Sequence, residues 1–127
     1  MRLLIVDGYN VIHSWPELKS ALDRGGLEES RRLLTAALAE YGAVRGVEVT
    51  VVFDGQPFEV DADNVRVIFA SRRGPNAADD DIARLVADDA DPASLKVVTS
   101  DSDLSRRVTE RGAEVVPAGG FRRRLPD

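Results

Sequence analysis

Five short apolar runs alternate along this chain with longer segments of helical periodicity, and this order strongly limits the possible folds. The runs are rich in Val, Ile, Leu and Phe and span residues 2–6, 48–53, 65–70, 95–99 and 114–116. Near-continuous apolarity is typical of strands that are covered on both faces, as in a parallel sheet. Helical patterns span residues 16–23, 28–45, 77–89 and 102–111. The alternation predicts an α/β fold with a mainly parallel sheet of five strands.

The chain length fits one domain with one core, because 127 residues is within the usual range for a single domain. Residues 54–64, between the second and third strands, are too few for a normal crossover helix. Those two strands therefore form either a hairpin or an irregular parallel crossing. We place the domain at residues 1–120 and expect residues 121–127, with the basic cluster Arg122–Arg124, to form a short, loosely held tail.

Aspartates follow three of the predicted strands. Asp7 comes after the first strand, Asp54 after the second, and Asp101 and Asp103 after the fourth. The carboxyl ends of parallel strands meet at one edge of a sheet, and ligands bind there near the point where the strand order reverses. We therefore expect these acids to lie close together.

A further aspartate comes from the helix predicted over residues 77–89, where three occur in a row. On an ideal helix Asp79 lies about 60° from the buried stripe centred on Ile82, whereas Asp81 lies about 100° and Asp80 about 160° away. The helical wheel thus selects Asp79 as the acid that points inward. It predicts a solvated Asp80 and an intermediate Asp81.

Each acid also has a purely structural explanation. Asp7-Gly8 and Asp54-Gly55 are common turn dipeptides. Asp79 could favour the first turn of a helix through the helix dipole, and Asp103 likewise. Asp101 could be an N-cap. What favours a site is that all of them fall at the same end of the same predicted sheet.

Carboxylates that cluster repel one another and raise each other's pKa unless a cation compensates their charge. The chain has no Cys and one His, so its ligands would be oxygen atoms, which favour Mg²⁺ or Mn²⁺ over Zn²⁺. Such ions activate water and stabilise the charge that develops in phosphoryl transfer. The pattern therefore predicts metal-assisted phosphodiester hydrolysis.

Other residues near this edge could contact the substrate. Asn10 is either a turn residue or a group that orients water or phosphate. Asp103 could help to orient water or phosphate by contacting the metal ligands rather than the ion itself. Arg72 and Arg73 follow the third strand and could contact a nucleic-acid backbone. Trp15 is a packing residue or a stacking surface for a base.

Four motifs resemble the YacP-like NYN domain, a branch of the PIN-like nuclease superfamily. They are LLIVDGYNVIHSWPEL, VVFDG, NAADDDIARLV and VVTSDSDL, and the resemblance covers residues 2–116. It implies a three-layer α/β/α sandwich and a Mg²⁺- or Mn²⁺-dependent endoribonuclease. By motif, the acids of the family fall on Asp7, Asp54, Asp79 and Asp101, with Asn10 nearby. For some relatives it implies cleavage of mRNA at the ribosome.

The alternative is a non-catalytic RNA- or protein-binding module on the same fold, which the net charge of −5 favours. The absence of a GxxxxGK[ST] motif argues against a P-loop NTPase. The N-terminus lacks a signal-peptide pattern and no apolar stretch approaches the ~20 residues that span a bilayer. Together with the absence of Cys, this leads us to expect a cytoplasmic protein without a membrane partner.

Overall fold

Strands and helices alternate in the structure in the order that the sequence predicts. The computed structural model describes residues 3–60, 62–70 and 76–125. Its elements are β1 (Leu3–Asp7), α1 (Gly8–Ser14), α2 (Pro16–Gly25), α3 (Leu27–Arg45), β2 (Glu48–Phe53), β3 (Val65–Phe69), α4 (Ala77–Asp88), β4 (Leu95–Val98), α5 (Ser102–Thr109), β5 (Glu114–Val116) and α6 (Ala118–Arg122). A short 3₁₀ turn at Pro92–Ser94 precedes β4.

The five strands form one sheet in the order β3-β2-β1-β4-β5, and every neighbouring pair is parallel. The hairpin that we considered for β2 and β3 is therefore wrong. These strands are joined by an irregular crossing, with Val51 opposite Val67. The chain adds β2 and β3 on one side of β1 and later adds β4 and β5 on the other. The strand order thus reverses beside β1, where α/β folds place their ligands.

Helices cover both faces of the sheet and give the three layers that the family resemblance implies. Successive residues of a strand point to opposite faces, and β1 shows this directly. Leu4 and Val6 pack into a core with residues of α1, α2, α3 and α6. Ile5 packs into a second core with residues of α4 and α5. Because both faces of β1 are buried, its continuous apolarity is explained.

The predicted boundaries agree with the structure to within about two residues, apart from Arg2, which lies outside the described residues. Helix ends commonly differ by this amount between methods. Two helices were not predicted. Helix α1 begins directly after β1, where Asp7-Gly8 looked like a turn, and α6 follows β5.

Helix α6 joins the C-terminal residues to the core. The Trp15 indole Nε1 donates a hydrogen bond to the backbone oxygen of Ala118 at 2.8 Å. Phe121 is 1% exposed, and its ring centroid lies 4.9 Å from that of Tyr41. The helix therefore runs across the boundary that we placed after residue 120, and the expected loose tail begins with a buried aromatic residue. Trp15 is 2% exposed, which makes it a packing residue and excludes stacking on a base.

No helix within the described ranges is long and apolar enough to cross a membrane.

Gly8 allows α1 to start immediately after the central strand. A β-carbon at this position would lie 2.4 Å from Cδ1 of Phe53 and 2.9 Å from the backbone oxygen of Val52. Both atoms belong to β2, the neighbouring strand, so they cannot easily move away. The Asp7-Gly8 pair is therefore a strand-to-helix junction in which glycine is required for close packing.

We predict that Gly8→Ala lowers the free energy of unfolding by about 1–3 kcal/mol, because overpacking forces the strand and the helix apart. Urea unfolding measures the change. Gly119→Ala is the matched control, since Gly119 lies in α6 and has no atom within 4 Å of an added β-carbon. A Gly8→Ala variant as stable as the control would contradict this account of the junction.

Candidate active site

Four aspartates from four separate chain segments line one open cavity at the carboxyl edge of the sheet. Asp7 ends β1, Asp54 follows β2, Asp79 lies in the first turn of α4, and Asp101 precedes α5. The cavity has a volume of about 480 Å³. Its lining residues are Asp7, Tyr9, Asn10, Leu27, Asp54, Gly55, Asn76, Asp79 and Asp101. The structure therefore brings together the four acids that the sequence motifs predict.

Asp7 is the most buried of these acids, with 4% of its surface exposed. Its Oδ2 accepts a hydrogen bond from the Thr99 hydroxyl at 2.9 Å. Burial raises the pKa of the Asp7 carboxyl to about 7, since it removes water from the charged form. The Thr99 hydrogen bond opposes this rise, while the negative charges of Asp79 and Asp54 add to it. Asp7 therefore carries an unfavourable charge that a cation would relieve.

Thr99 also connects Asp7 to the segment that follows β4. Its Oγ1 accepts a hydrogen bond from the backbone N–H of Asp101 at 3.1 Å. The Asp101 Oδ1 in turn accepts from the backbone N–H of Leu104 at 2.8 Å and caps α5. Capping does not exclude a role of Asp101 in the cavity, because a carboxylate has about four lone-pair sites and capping uses one.

Asp54 is fixed from two sides. Its Oδ1 accepts a hydrogen bond from the backbone N–H of Ala78 at 3.0 Å, which ties the end of β2 to the first turn of α4. On the other side, the guanidinium of Arg31 donates to the backbone oxygens of Asp54 and Gln56. The bond to Gln56 measures 2.9 Å. These contacts hold the Asp54-Gly55-Gln56 turn and aim its carboxylate at the cavity.

Arg31 is a supporting residue that the sequence reasoning missed. It is 3% exposed although it belongs to a charged residue type. Its guanidinium carbon lies 5.2–5.7 Å from the ring centroids of Phe53, Phe58 and Phe69. The sequence did contain a signal, because Arg31 lies three and seven residues before the buried Leu34 and Leu38 of α3. An arginine on a buried helical stripe needs a specific partner.

Only the first of the three consecutive aspartates in α4 lines the cavity, as the helical wheel predicts. Burial raises the pKa of Asp79, and the charges of Asp101 and Asp54 raise it further. Asp80 does not extend freely into solvent. Its Oδ1 lies 3.0 Å from a guanidinium nitrogen of Arg107, and its side chain is 33% exposed. Asp81 is more buried than expected, with a 10% exposed side chain near Arg84.

Asn10 lines the cavity beside Asp7. Its Oδ1 accepts a hydrogen bond from the backbone N–H of Ser100 at 2.8 Å, which links α1 to the end of β4. The amide group still carries two N–H donors, which suit a phosphate or a water. Asn10 is therefore a structural link and also a lining residue.

One expected site residue, Asp103, is not among the residues that line the cavity. Asp103 faces away from the cavity, because its side chain is 87% exposed and lies 3.9 Å from Arg106 of the same helix. It follows the N-cap by two residues and so points outward on the first turn of α5. Arg72 and Arg73 lie outside the described residues.

The donor chemistry of the cavity suits a hard divalent cation. Its lining includes carboxylates from four chain segments together with an asparagine amide. Within the described ranges, no three acids are already close enough to form a complete metal site. Mg²⁺ does not need such a cage, since it keeps several waters and binds through one or two carboxylates together with substrate phosphates. The residues therefore fit a partly hydrated ion.

The parallel sheet with acids at its switch point agrees with the PIN-like fold that the sequence resemblance implies, and comparison with known proteins shows the family. The family model described as the YacP-like NYN domain matches residues 4–127, and the chain belongs to this family. It is 37% identical over 117 residues to YacP of Bacillus subtilis, covering 89% of this chain and 68% of that protein.

Two solved structures of Rae1 (YacP) from Bacillus subtilis are similar to the fold. A mutant form superposes with a TM-score of 0.83 at 34% identity, covering 98% of this chain and 74% of that chain. A second crystal structure gives 0.80 at 31% identity, covering 98% and 73%. These matches confirm the predicted family and fold class.

We predict that Asp7→Asn stabilises the metal-free protein more at pH 8 than at pH 5. The pKa of about 7 in the folded protein lies above the ordinary value of 3.8 for an aspartate, so the native state holds the extra proton between these values. The free energy of unfolding therefore falls as pH rises through this window, by an upper bound of roughly 4 kcal/mol. The amide oxygen of the substituted side chain can still accept the hydrogen bond from the Thr99 hydroxyl, but the side chain carries no negative charge.

Urea unfolding in EDTA at both pH values measures the difference. Asp23→Asn is the control, because Asp23 is exposed on α2 and its substitution should leave the pH dependence unchanged. An equal effect of Asp7→Asn at pH 5 and pH 8 would show that Asp7 does not carry the buried charge.

Proposed function

We propose that this protein is a divalent-metal-dependent endoribonuclease that hydrolyses RNA phosphodiester bonds at the aspartate cavity. The observation that carries the proposal is the convergence of Asp7, Asp54, Asp79 and Asp101 on one opening. Burying Asp7 among three other acids is unfavourable for stability, and such local conflicts are expected at functional sites. Membership of a nuclease family supports the same conclusion.

In this proposal the four carboxylates hold Mg²⁺ or Mn²⁺ directly or through water. The ion, when bound, supplies an activated water and stabilises charge at the scissile phosphate. Thr99 keeps Asp7 oriented, and Arg31 and the Ala78 N–H keep Asp54 oriented. The Asn10 amide donates to a phosphate oxygen or to the attacking water. Hydrolysis leaves a 5′-phosphate and a 3′-hydroxyl, as the family resemblance implies.

The proposed substrate is RNA, and its proposed setting is mRNA at the ribosome in the cytoplasm. Both follow from the resemblance to YacP-like NYN domains. We do not include Asp103 among the acting groups, because its side chain is exposed and faces Arg106.

A non-catalytic RNA- or protein-binding module is the second candidate function. The net charge of −5 favours its protein-binding form, since RNA affinity depends largely on Lys and Arg that neutralise phosphates. The two proposals differ in one respect that can be measured. A binding module needs neither the divalent ion nor the charge of the cavity acids for its activity on RNA.

We expect metal-dependent cleavage of labelled RNA that Asp7→Asn and Asp79→Asn each reduce by roughly 100-fold or more. Substitutions that merely reposition metal ligands already cost about 10- to 100-fold, so loss of a ligand should cost at least that. The assay uses single-stranded and structured RNA with Mn²⁺, and with EDTA as the metal-free condition.

Asp23→Asn is the matched control, because it removes the same charge from an exposed position on α2. It should cleave like the unsubstituted protein. Cleavage that persists in EDTA, or that both cavity variants retain, would refute the nuclease proposal. RNA binding without cleavage by the unsubstituted protein would support the module.

A further inference from the structure

One exposed aromatic side chain stands at the rim of the aspartate cavity. Tyr9 is 46% exposed and lines the cavity with Asp7 and Asn10. Among the described residues, the other large apolar side chains with comparable exposure are Leu33 and Val44. Both belong to α3, and neither lines the cavity. A tyrosine ring that remains half in water at the mouth of a candidate active site contributes little to the core, which points to a role in binding.

The Tyr9 ring is held in place before any ligand arrives. It lies on α1 one helical turn from His13, and the two ring centroids are 4.3 Å apart at an interplanar angle of 53°. Residues four apart on a helix face each other in this way. The helix itself is anchored by the buried side chains of Val11 and Ile12. The backbone that carries the ring is therefore fixed, and the contact with His13 reduces the rotamer freedom that the ring would lose on binding.

The surroundings of Tyr9 limit how an RNA strand can be held. The cavity is lined by four carboxylates, and the described residues that line it include no Lys or Arg. The chain as a whole is acidic. The described lining therefore offers little electrostatic attraction to phosphates, the usual source of RNA affinity. Stacking of bases on aromatic rings is a second source of affinity, and it does not require positive charge.

We propose that Tyr9, supported by His13, is a stacking platform for an unpaired nucleobase of the RNA strand next to the scissile phosphate. This inference rests on the proposed function, since it concerns the same cavity. Tyr9 is two residues from Asp7 and adjacent to Asn10, so a base on its ring neighbours a phosphate at the carboxylates. Every base has a π-face, so the platform accepts any base.

A further consequence concerns the form of the substrate. A base reaches a side-chain ring only when it is unstacked from its neighbours, as in loops, bulges and single strands. The platform therefore selects single-stranded RNA segments over continuous helices. Tyr9 thus contributes to the preference for single-stranded RNA, whereas the carboxylates act at the scissile phosphodiester bond.

Binding is tested with a short single-stranded RNA that carries one fluorescent 2-aminopurine, with Ca²⁺ in place of Mn²⁺ so that binding is read without cleavage. Stacking quenches this fluorophore. We expect Tyr9→Ala to bind roughly 5- to 100-fold more weakly and to lose the quenching. Tyr9→Phe should keep both, because it keeps the ring. Leu33→Ala, an exposed apolar residue away from the cavity, should bind like the unsubstituted protein.

The platform is refuted if Tyr9→Ala matches the unsubstituted protein in affinity and quenching, or if Tyr9→Phe loses as much as Tyr9→Ala. An equal loss of binding to a continuous RNA duplex would also refute it. A failure of the nuclease proposal can be distinguished from a failure of the stacking platform. Quenching that depends on Tyr9 without cleavage in Mn²⁺ would refute the nuclease and keep the platform. Cleavage that needs Asp7 and is indifferent to Tyr9 would refute the platform alone.

Discussion

The buried carboxylate of Asp7 is the constraint on which the rest of the site depends. It lies at the end of the central strand, which pairs with β2 on one side and β4 on the other. Its pKa of about 7 reflects removal from water. The Thr99 hydroxyl at the end of β4 opposes that effect through its hydrogen bond. The sheet thus places a charge where the fold alone would not favour one, and the surrounding acids make the charge less favourable still.

The same few groups connect the segments around that carboxylate. Thr99 joins Asp7 to Asp101, Asn10 joins α1 to Ser100, and the Asp54 side chain joins the end of β2 to α4. Arg31, packed among three phenylalanine rings, donates a hydrogen bond to the backbone of the Asp54 turn. Asp7, Asp54 and Asp101 therefore each have a hydrogen-bond partner that orients the carboxylate toward the cavity. Asp103, which has the same residue type, instead lies exposed beside Arg106 of its own helix.

The sequence predicted the sheet and the converging acids because periodicity and strand ends are local features. It did not predict α1, since the junction at Gly8 depends on the distance to Phe53 of another strand. It did not predict α6 either, because Gly119 and Gly120 have low helix propensity and the helix depends on the packing of Phe121. Arg31 and Tyr9 were missed for a related reason. Burial of one and exposure of the other are set by tertiary contacts.

The central claim is that the four carboxylates of the cavity bind a divalent cation. Anomalous diffraction from crystals soaked in Mn²⁺ tests it most directly, because the metal is located without reference to activity. The account predicts an anomalous peak inside the cavity, within coordination distance of Asp7 or of a water that its carboxylate holds. The same peak should disappear in Asp7→Asn crystals. A cavity without a peak, in crystals that show Mn²⁺ bound elsewhere on the protein, would contradict the account.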